Sequence, residues 1–220
     1  IEDDCIRKNP FNFALDTVIE DDRERKAALT PKQEESLLAF MEQDAVYKKY
    51  RDEVIILLGT GLRISEFCGL TTALDFKNRQ INVDHQLLRD ADIGYYIETP
   101  KTKNGIRQIP MTEEVCQALK RVLKNRSNAV PFSVEGYKNF LFLKNDGMPK
   151  VSANYESMLK GLVKKYNKQN KEQLPNITPH ILRHTFCTRL ANAGMNPKAL
   201  QYIMGHANIT MTLNYYAHAT

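Results

Sequence analysis

The sequence predicts a mainly α fold with a small antiparallel β-sheet. Helix starts recur along the chain, each a capping side chain followed by proline or acidic residues, and each leads into apolar residues at three- and four-residue intervals. Between residues 74 and 110 this texture gives way to short β-type runs divided by turn signals. With 220 residues, 42% of them hydrophobic, the chain can bury a core without disulfide or metal staples.

Residues 1–29 are mixed and acidic. Asn9-Pro10-Phe11 breaks any helix and Asp21-Asp22-Arg23-Glu24-Arg25-Lys26 reads as solvated linker, so this segment is expected to tether residues 30–220 to an upstream domain. A start at Ile1 rather than Met fits a piece of a longer protein. The first clear helix begins at Thr30-Pro31-Lys32-Gln33, with Thr as cap, Pro at the first helical position and Gln three residues after the cap. Leu37, Leu38 and Met41 give it an apolar face. A second helix from about Tyr47 carries Val54, Ile55, Leu57 and Leu58, is interrupted by Gly59-Thr60-Gly61, and resumes at Leu62-Arg63-Ile64-Ser65-Glu66.

Strands are expected at Leu74–Phe76, Gln80–Val83, Tyr95–Glu98 and Ile106–Ile109, with turns at Lys77-Asn78 and Asn104-Gly105. Helices return after Thr112, whose hydroxyl can cap a first turn holding Glu113 and Glu114, and after Ser152, leading into Met158, Leu159, Leu162 and Val163. Thr178-Pro179 and Asn196-Pro197 repeat the cap-plus-proline start, and apolar spacing continues through Leu200, Ile203 and Met204 to the end.

Composition narrows the function. No apolar run approaches the roughly 18 residues that span a bilayer, and the acidic Ile1-Glu2-Asp3-Asp4 is the opposite of a signal peptide's basic lead, so neither a membrane protein nor an ordinary secreted precursor is expected. Cys5, Cys68, Cys116 and Cys187 are scattered singly, without C-x-x-C pairs, so the expected setting is the reducing cytoplasm. The net charge of +5 hides an asymmetry. Residues 101–220 carry 18 Lys and Arg against 6 Asp and Glu, and the first hundred carry 13 against 20. Such polarity is the footprint of a protein that lays one face on a polyanion, with nucleic acid the first partner to consider; a lysine-rich solvated surface is the plain alternative.

Four clusters can carry chemistry. Arg63, flanked by apolar residues after a glycine break, suits a two-pronged grip on phosphate, and Glu66 at i+3 can hold its fork; an ordinary helix pair has the same spacing. Thr99 to Arg107 places Lys101, Lys103 and Arg107 around a tight turn, where a long lysine stem can enter a DNA groove or give a proton to a leaving oxygen, and where cations often serve only solubility. His180, Arg183 and His184 share one face of a first helical turn, beside free backbone N–H groups that favour an anion. A metal site from His180 and His184 lacks the glutamate of H-E-x-x-H, and His184 also reads as a core residue. Finally, Met204-Gly205-His206 precedes Leu213-Asn214-Tyr215-Tyr216, and a tyrosine can act as nucleophile toward phosphorus.

Taken together, Arg63, Lys101, His180 with Arg183, His206 and Tyr216 form an ordered set that resembles the tyrosine recombinase (phage integrase) family. The likeness is greatest to integrases of Gram-positive conjugative transposons and covers the catalytic domain from about Thr30 onward. Gly59 to Glu66 looks like the first arginine box and His180-Ile181-Leu182-Arg183-His184 like the second. Met204-Gly205-His206 stands for Leu-Gly-His, and Leu213-Asn214-Tyr215-Tyr216 looks like the nucleophile segment.

The resemblance implies the tyrosine recombinase catalytic-domain fold. It also implies a site-specific recombinase that cuts and rejoins DNA through a 3′-phosphotyrosine, for excision and integration of a mobile element. Arg63 and Arg183 would clamp the scissile phosphate, with a further hydrogen bond from His206. His180 would assist proton movement at the tyrosine, Lys101 would be general acid for the 5′-hydroxyl, and Tyr216 would attack. Lys101 is preferred to Lys103 because Glu98-Thr99-Pro100-Lys101 reads as a strand end, and Tyr216 to Tyr215 because it follows Leu-Asn-x. No cofactor, metal or ATP is implied.

The implied partners are double-stranded DNA at transposon ends and crossover sites, a homotetramer of two dimers on DNA, and an excisionase or DNA-bending accessory protein, with no membrane. The family's core-binding and arm-binding domains are absent from this stretch, and a tail usually continues past the tyrosine to dock on a neighbour, so the chain by itself is expected to bind weakly and recombine poorly. A type IB topoisomerase shares the same chemistry. A helix-rich module that only grips the phosphate backbone would bind DNA without a covalent adduct.

Overall fold

A computed structural model describes residues 28–100, 105–126 and 132–216 of the chain. The Thr30-Pro31 start builds α1 (Pro31–Gln43). Thr30 Oγ1 accepts from the Gln33 N–H and Gln33 Oε1 from the Thr30 N–H, both halves of the expected capping box. Leu29, one residue ahead of the expected boundary, is already core, and its N–H donates to Thr185 Oγ1 at 2.9 Å.

A single 3-10 turn (Lys48–Tyr50) leads into α2 (Arg51–Thr60). Val54 through Leu58 are all buried, so α2 is apolar on every side and lies at the centre, packed on α4 (Glu113–Asn125) and α6 (Pro179–Asn192). The break expected over Gly59-Thr60-Gly61 is narrower. Gly59 and Thr60 stay helical, with Thr60 Oγ1 bonded back to the Ile56 carbonyl, and only Gly61 turns left-handed, at φ 61°, to end the helix. Three residues later α3 (Ile64–Gly69) begins.

The β-region corrects the expectation of one sheet. It holds β1 (Gln80–Val83), β2 (Gln86–Asp90), β3 (Gly94–Glu98) and β4 (Arg107–Pro110), arranged as two antiparallel ribbons. β1 pairs with β4, Ile81 opposite Ile109, and β2 with β3, Leu87 opposite Ile97. Leu74–Phe76 is not a strand. Its backbone makes one bridge, Asp75 to Gln80, and the Asp75 carboxylate takes the Asn78 backbone and side-chain N–H groups, which closes a turn instead of a ladder. Conversely β2 gives little sequence signal, because Gln86-Leu87-Leu88-Arg89-Asp90 lacks the two-residue alternation of a strand with one buried face.

The remaining helices are α5 (Ser152–Gln169), α7 (Pro197–Met204) and α8 (Thr210–Tyr216). Thr112, Thr178 and Asn196 cap α4, α6 and α7 as expected. At α5 the Val151 N–H donates to Asn154 Oδ1, so Ser152 is the first helical residue and not the cap. The apolar run that was expected to continue to the end breaks at Gly205, and α8 is a separate helix. No described helix is long and apolar enough to cross a membrane.

Behind α3 lies an aromatic wall. Phe67 stacks on Phe142 with ring centroids 4.0 Å apart and meets Tyr155 edge-on at 5.3 Å. The Tyr155 hydroxyl donates to Glu53, which also accepts from Lys150 at 2.6 and 2.9 Å, so the buried carboxylate has partners on both oxygens. This wall fixes one side of α3, and the Gly61 turn fixes its start. A Cβ at Gly61 would overlap the Phe186 ring, in addition to the left-handed strain. Gly61→Ala is expected to lower stability by about 2 kcal/mol or more, read as a fall in the urea midpoint at unchanged slope. A midpoint equal to that of the wild type would contradict this account of the turn.

Candidate active site

The organising feature is the C-terminal turn of α7. A helix ends with carbonyls that have no partner inside it. Here Gly205, left-handed at φ 61°, lets its own N–H and that of His206 return to the carbonyls of Tyr202 and Gln201. The next three carbonyls point at arginines from three other elements. Ile203 O accepts from Arg107 Nε at 2.7 Å, Met204 O from Arg183 Nη2 at 2.5 Å, and Gly205 O from Arg63 Nη2 at 2.8 Å. Arg183 also donates to the Gly61 carbonyl at 2.6 Å, which joins the first arginine segment to the second. Gly205 is required sterically as well, since a Cβ there would lie 2.9 Å from the Arg107 guanidinium.

Glu66 holds two of these arginines from the other side. Its Oε1 accepts from Arg63 Nη1 at 2.8 Å and Arg107 Nη1 at 2.9 Å, and its Oε2 from the Arg63 backbone N–H at 2.9 Å and Arg107 Nη2 at 2.8 Å. The Arg107 side chain is 0% exposed, whereas that of Arg63 is 39% exposed. Arg63 therefore keeps N–H groups facing outward, and Arg107 is spent inside the protein.

Electrostatics follow from this crowding. Burial pushes the Glu66 carboxyl up, but Arg107 and Arg63 outweigh it and hold the group at about 2. Burial and then the Arg63 charge lower Arg183 to about 10, so it stays cationic at neutral pH. His206 is lowered to about 4 by burial and by Arg183, Arg63 and Arg107, and is neutral under ordinary conditions. Its Nδ1 lies 3.0 Å from the buried Thr212 hydroxyl on α8, which orients the ring.

The structure thus brings Arg63, Arg183 and His206 together. His180 is exposed on the first turn of α6, and His184 is half-buried against the Tyr215 ring at 5.0 Å, in keeping with a partly structural role. Tyr215 also stacks toward His206, at 6.3 Å and 16°. The Tyr216 hydroxyl points elsewhere and donates to the Met195 carbonyl at 2.5 Å. Burial, then the neighbouring Cys187, raises its pKa above the ordinary phenol value. Lys101 and Lys103 lie outside the described residues. Arg107 is corrected from a cation at an exposed turn to a buried partner of Glu66, and with Thr212 it is a site residue that sequence reasoning missed. Only the alternation Arg107-Gln108-Ile109-Pro110 in β4, which turns Arg107 and Ile109 inward together, could have signalled it.

These shifts have a sign in stability. A carboxyl at about 2 in the folded chain, against 4.5 as its ordinary value, contributes stability that is present above pH 4.5 and lost as pH falls toward 2. Glu66→Gln is expected to cost about 3 kcal/mol at pH 7, with the gap to wild type closing below pH 4.5. Denaturant unfolding across that range checks it, and parallel pH curves for the two proteins would count against the network.

Comparison with known proteins identifies relatives of the chain. The Phage integrase family matches residues 27–220. The chain is 66% identical over 221 residues to the transposase from transposon Tn916 of Enterococcus faecalis, covering 100% of this chain and 55% of that protein. It is 31% identical over 202 residues to the tyrosine recombinase XerA of Pyrococcus horikoshii, covering 88% and 62%. The chain spans little more than half the length of these curated relatives. Among solved structures, the Tn1549 transposon integrase in complex with circular intermediate DNA superposes with a TM-score of 0.90 at 65% identity, covering 97% of this chain and 70% of that one. The XerA recombinase crystal structure gives 0.65 at 25%, covering 88% and 60%. The packing of helices around small antiparallel ribbons is thus shared with these proteins, and the chain belongs to the phage integrase family of tyrosine recombinases.

Proposed function

We propose that this chain is the catalytic domain of a transposon integrase, a site-specific recombinase that breaks and rejoins DNA for excision and integration of a mobile element. The observation that carries the proposal is the convergence of Arg63, Arg183 and His206 on one helix end, with the Tyr215-Tyr216 helix packed beside it. The relatives support the direction. The Tn1549 integrase structures hold circular intermediate DNA or transposon right end DNA, and include one form with an Arg→Lys change and one with a Tyr→Phe change.

In this reading a phosphate sits against the outward N–H groups of Arg63 and the remaining ones of Arg183. Neutral His206, in the tautomer that accepts a hydrogen bond from the Thr212 hydroxyl at Nδ1, presents Nε2–H to the same oxygens. The two cations stabilise charge that grows on the phosphate as a fifth oxygen approaches, and the fixed carbonyls of α7 hold them without reorganisation. Tyr216 first leaves the Met195 carbonyl. Its oxygen then bonds to phosphorus as the bond to the 5′-oxygen breaks, its proton passes toward His180, and Lys101, or Lys103, supplies the proton that the 5′-oxygen gains. A 5′-hydroxyl from another strand reverses the step. The bond energy is kept in the phosphotyrosine, so neither ATP nor metal is needed. The assembly proposed on DNA is a homotetramer of two dimers aided by an excisionase or DNA-bending protein, and the linker reading of residues 1–29 belongs to the same proposal.

The test is a nicked suicide duplex carrying transposon ends, with covalent adduct resolved on a denaturing gel. Wild type is expected to form the adduct, Tyr216→Phe to lose it, and Tyr215→Phe to retain it. Arg63→Ala and Arg183→Ala should slow its formation by about 10²–10³-fold. If the chain joined to its upstream domain bound DNA without any covalent species, a DNA-binding module would replace the enzyme in this account.

A further inference from the structure

Arg107 lies in the arginine cluster but cannot touch a substrate. Its side chain is 0% exposed, and its donors go to Ile203 O at 2.7 Å, Gly105 O at 3.2 Å and both oxygens of Glu66. Glu66 in turn is shared with Arg63, whose guanidinium is partly exposed. A buried carboxylate 2.8 Å from Arg63 would, with no other partner, cancel most of the positive charge that Arg63 offers to an anion. With Arg107 present, three arginines face one carboxylate and the cluster keeps two net positive charges.

We propose that Arg107 is a positioning residue for the phosphate clamp: it neutralises and orients Glu66, so that Glu66 fixes the Arg63 fork without taking away its charge. This rests on the proposed strand-cleavage reading of the same site. Two further observations fit it. Arg107 grips Glu66 with a bidentate fork, a geometry that lysine cannot reproduce. It also donates to Ile203 O, next to the two carbonyls that hold Arg183 and Arg63, so its position and theirs are set by one turn of backbone.

The experiment compares wild type, Arg107→Gln, Arg107→Lys and the double variant Glu66→Gln/Arg107→Gln in single-turnover cleavage of the suicide duplex at saturating DNA. NMR titration of the His206 imidazole runs in parallel. Arg107→Gln leaves one net charge in the clamp and is expected to cleave about 10²-fold more slowly, with Arg107→Lys in between. The double variant returns the clamp to two net charges while its amide at position 66 still offers Arg63 an acceptor, so it is expected to regain at least about tenfold over Arg107→Gln. The His206 titration should follow the same order, rising in Arg107→Gln and moving back toward wild type in the double variant. A purely structural Arg107 predicts the reverse, with the second substitution adding damage to the first.

The proposal is overturned if Arg107→Gln, folded by circular dichroism, cleaves within about threefold of wild type, or if the double variant is no faster than Arg107→Gln. Should Arg107→Gln not fold, Arg107→Lys decides the point: it keeps two net charges but loses the bidentate fork on Glu66, and a rate within about threefold of wild type overturns the positioning role. If wild type itself gives no adduct, the cleavage reading fails, and the order of the His206 titrations still supports or overturns the role of Arg107.

Discussion

Three guanidinium groups and the last carbonyls of one short helix are the constraint on which the site depends. Ile203, Met204 and Gly205 offer carbonyls that α7 cannot satisfy itself, and the negative end of a helix is where cations are favoured. Arg107 comes from a strand, Arg183 from the start of α6 and Arg63 from the turn before α3. Each meets a different carbonyl of the same turn, so three segments distant in sequence are pinned to one another by groups that would otherwise be left unpaired. His206 follows directly, and its place beside the arginines is a consequence of that turn.

Like charges this close repel, and what offsets the repulsion is Glu66. It is buried, ionised and bonded on both oxygens, and a carboxylate so placed is stabilising only because its partners are complete. The rest of the molecule keeps α3 from moving. Phe67 is held by Phe142 and Tyr155, and Tyr155 is tied to the Glu53–Lys150 pair. Apolar packing behind the helix and charge pairing in front of it act on the same six residues. Burial, together with the positive field that results, keeps His206 neutral, so that it offers a directed N–H in place of another charge.

The parts of the fold that local chemistry decides were legible in the sequence. Thr30 with Gln33, Thr112, Thr178 and Asn196 each cap the helix they announced, because a cap needs only neighbours along the chain. The strands were harder, since pairing partners lie far apart in sequence: Leu74–Phe76 has strand-like residues but no ladder to join, and β2 is a strand with no alternation to betray it. Within the site, Arg63, Arg183 and His206 stood out by motif and are found together. Arg107 did not, because a cation among Lys101 and Lys103 looks like part of a basic turn, and only the β4 pairing that turns it toward Glu66 shows that it is buried. The preference for Tyr216 over Tyr215 rests on motif position alone. In the structure Tyr215 lies against His206, and Tyr216 rests on the Met195 carbonyl.

The account stands or falls on where phosphate binds. The most direct measurement is the structure of the protein on uncleaved DNA at a transposon end. It should show a single backbone phosphate about 3 Å from Arg63, Arg183 and His206, with the Ile203, Met204 and Gly205 carbonyls still bonded to their three arginines and the Tyr216 hydroxyl released from Met195. A complex in which no phosphate lies within hydrogen-bond reach of that cluster, or in which the arginines leave the helix end to reach DNA, would contradict the view that the α7 turn builds the site.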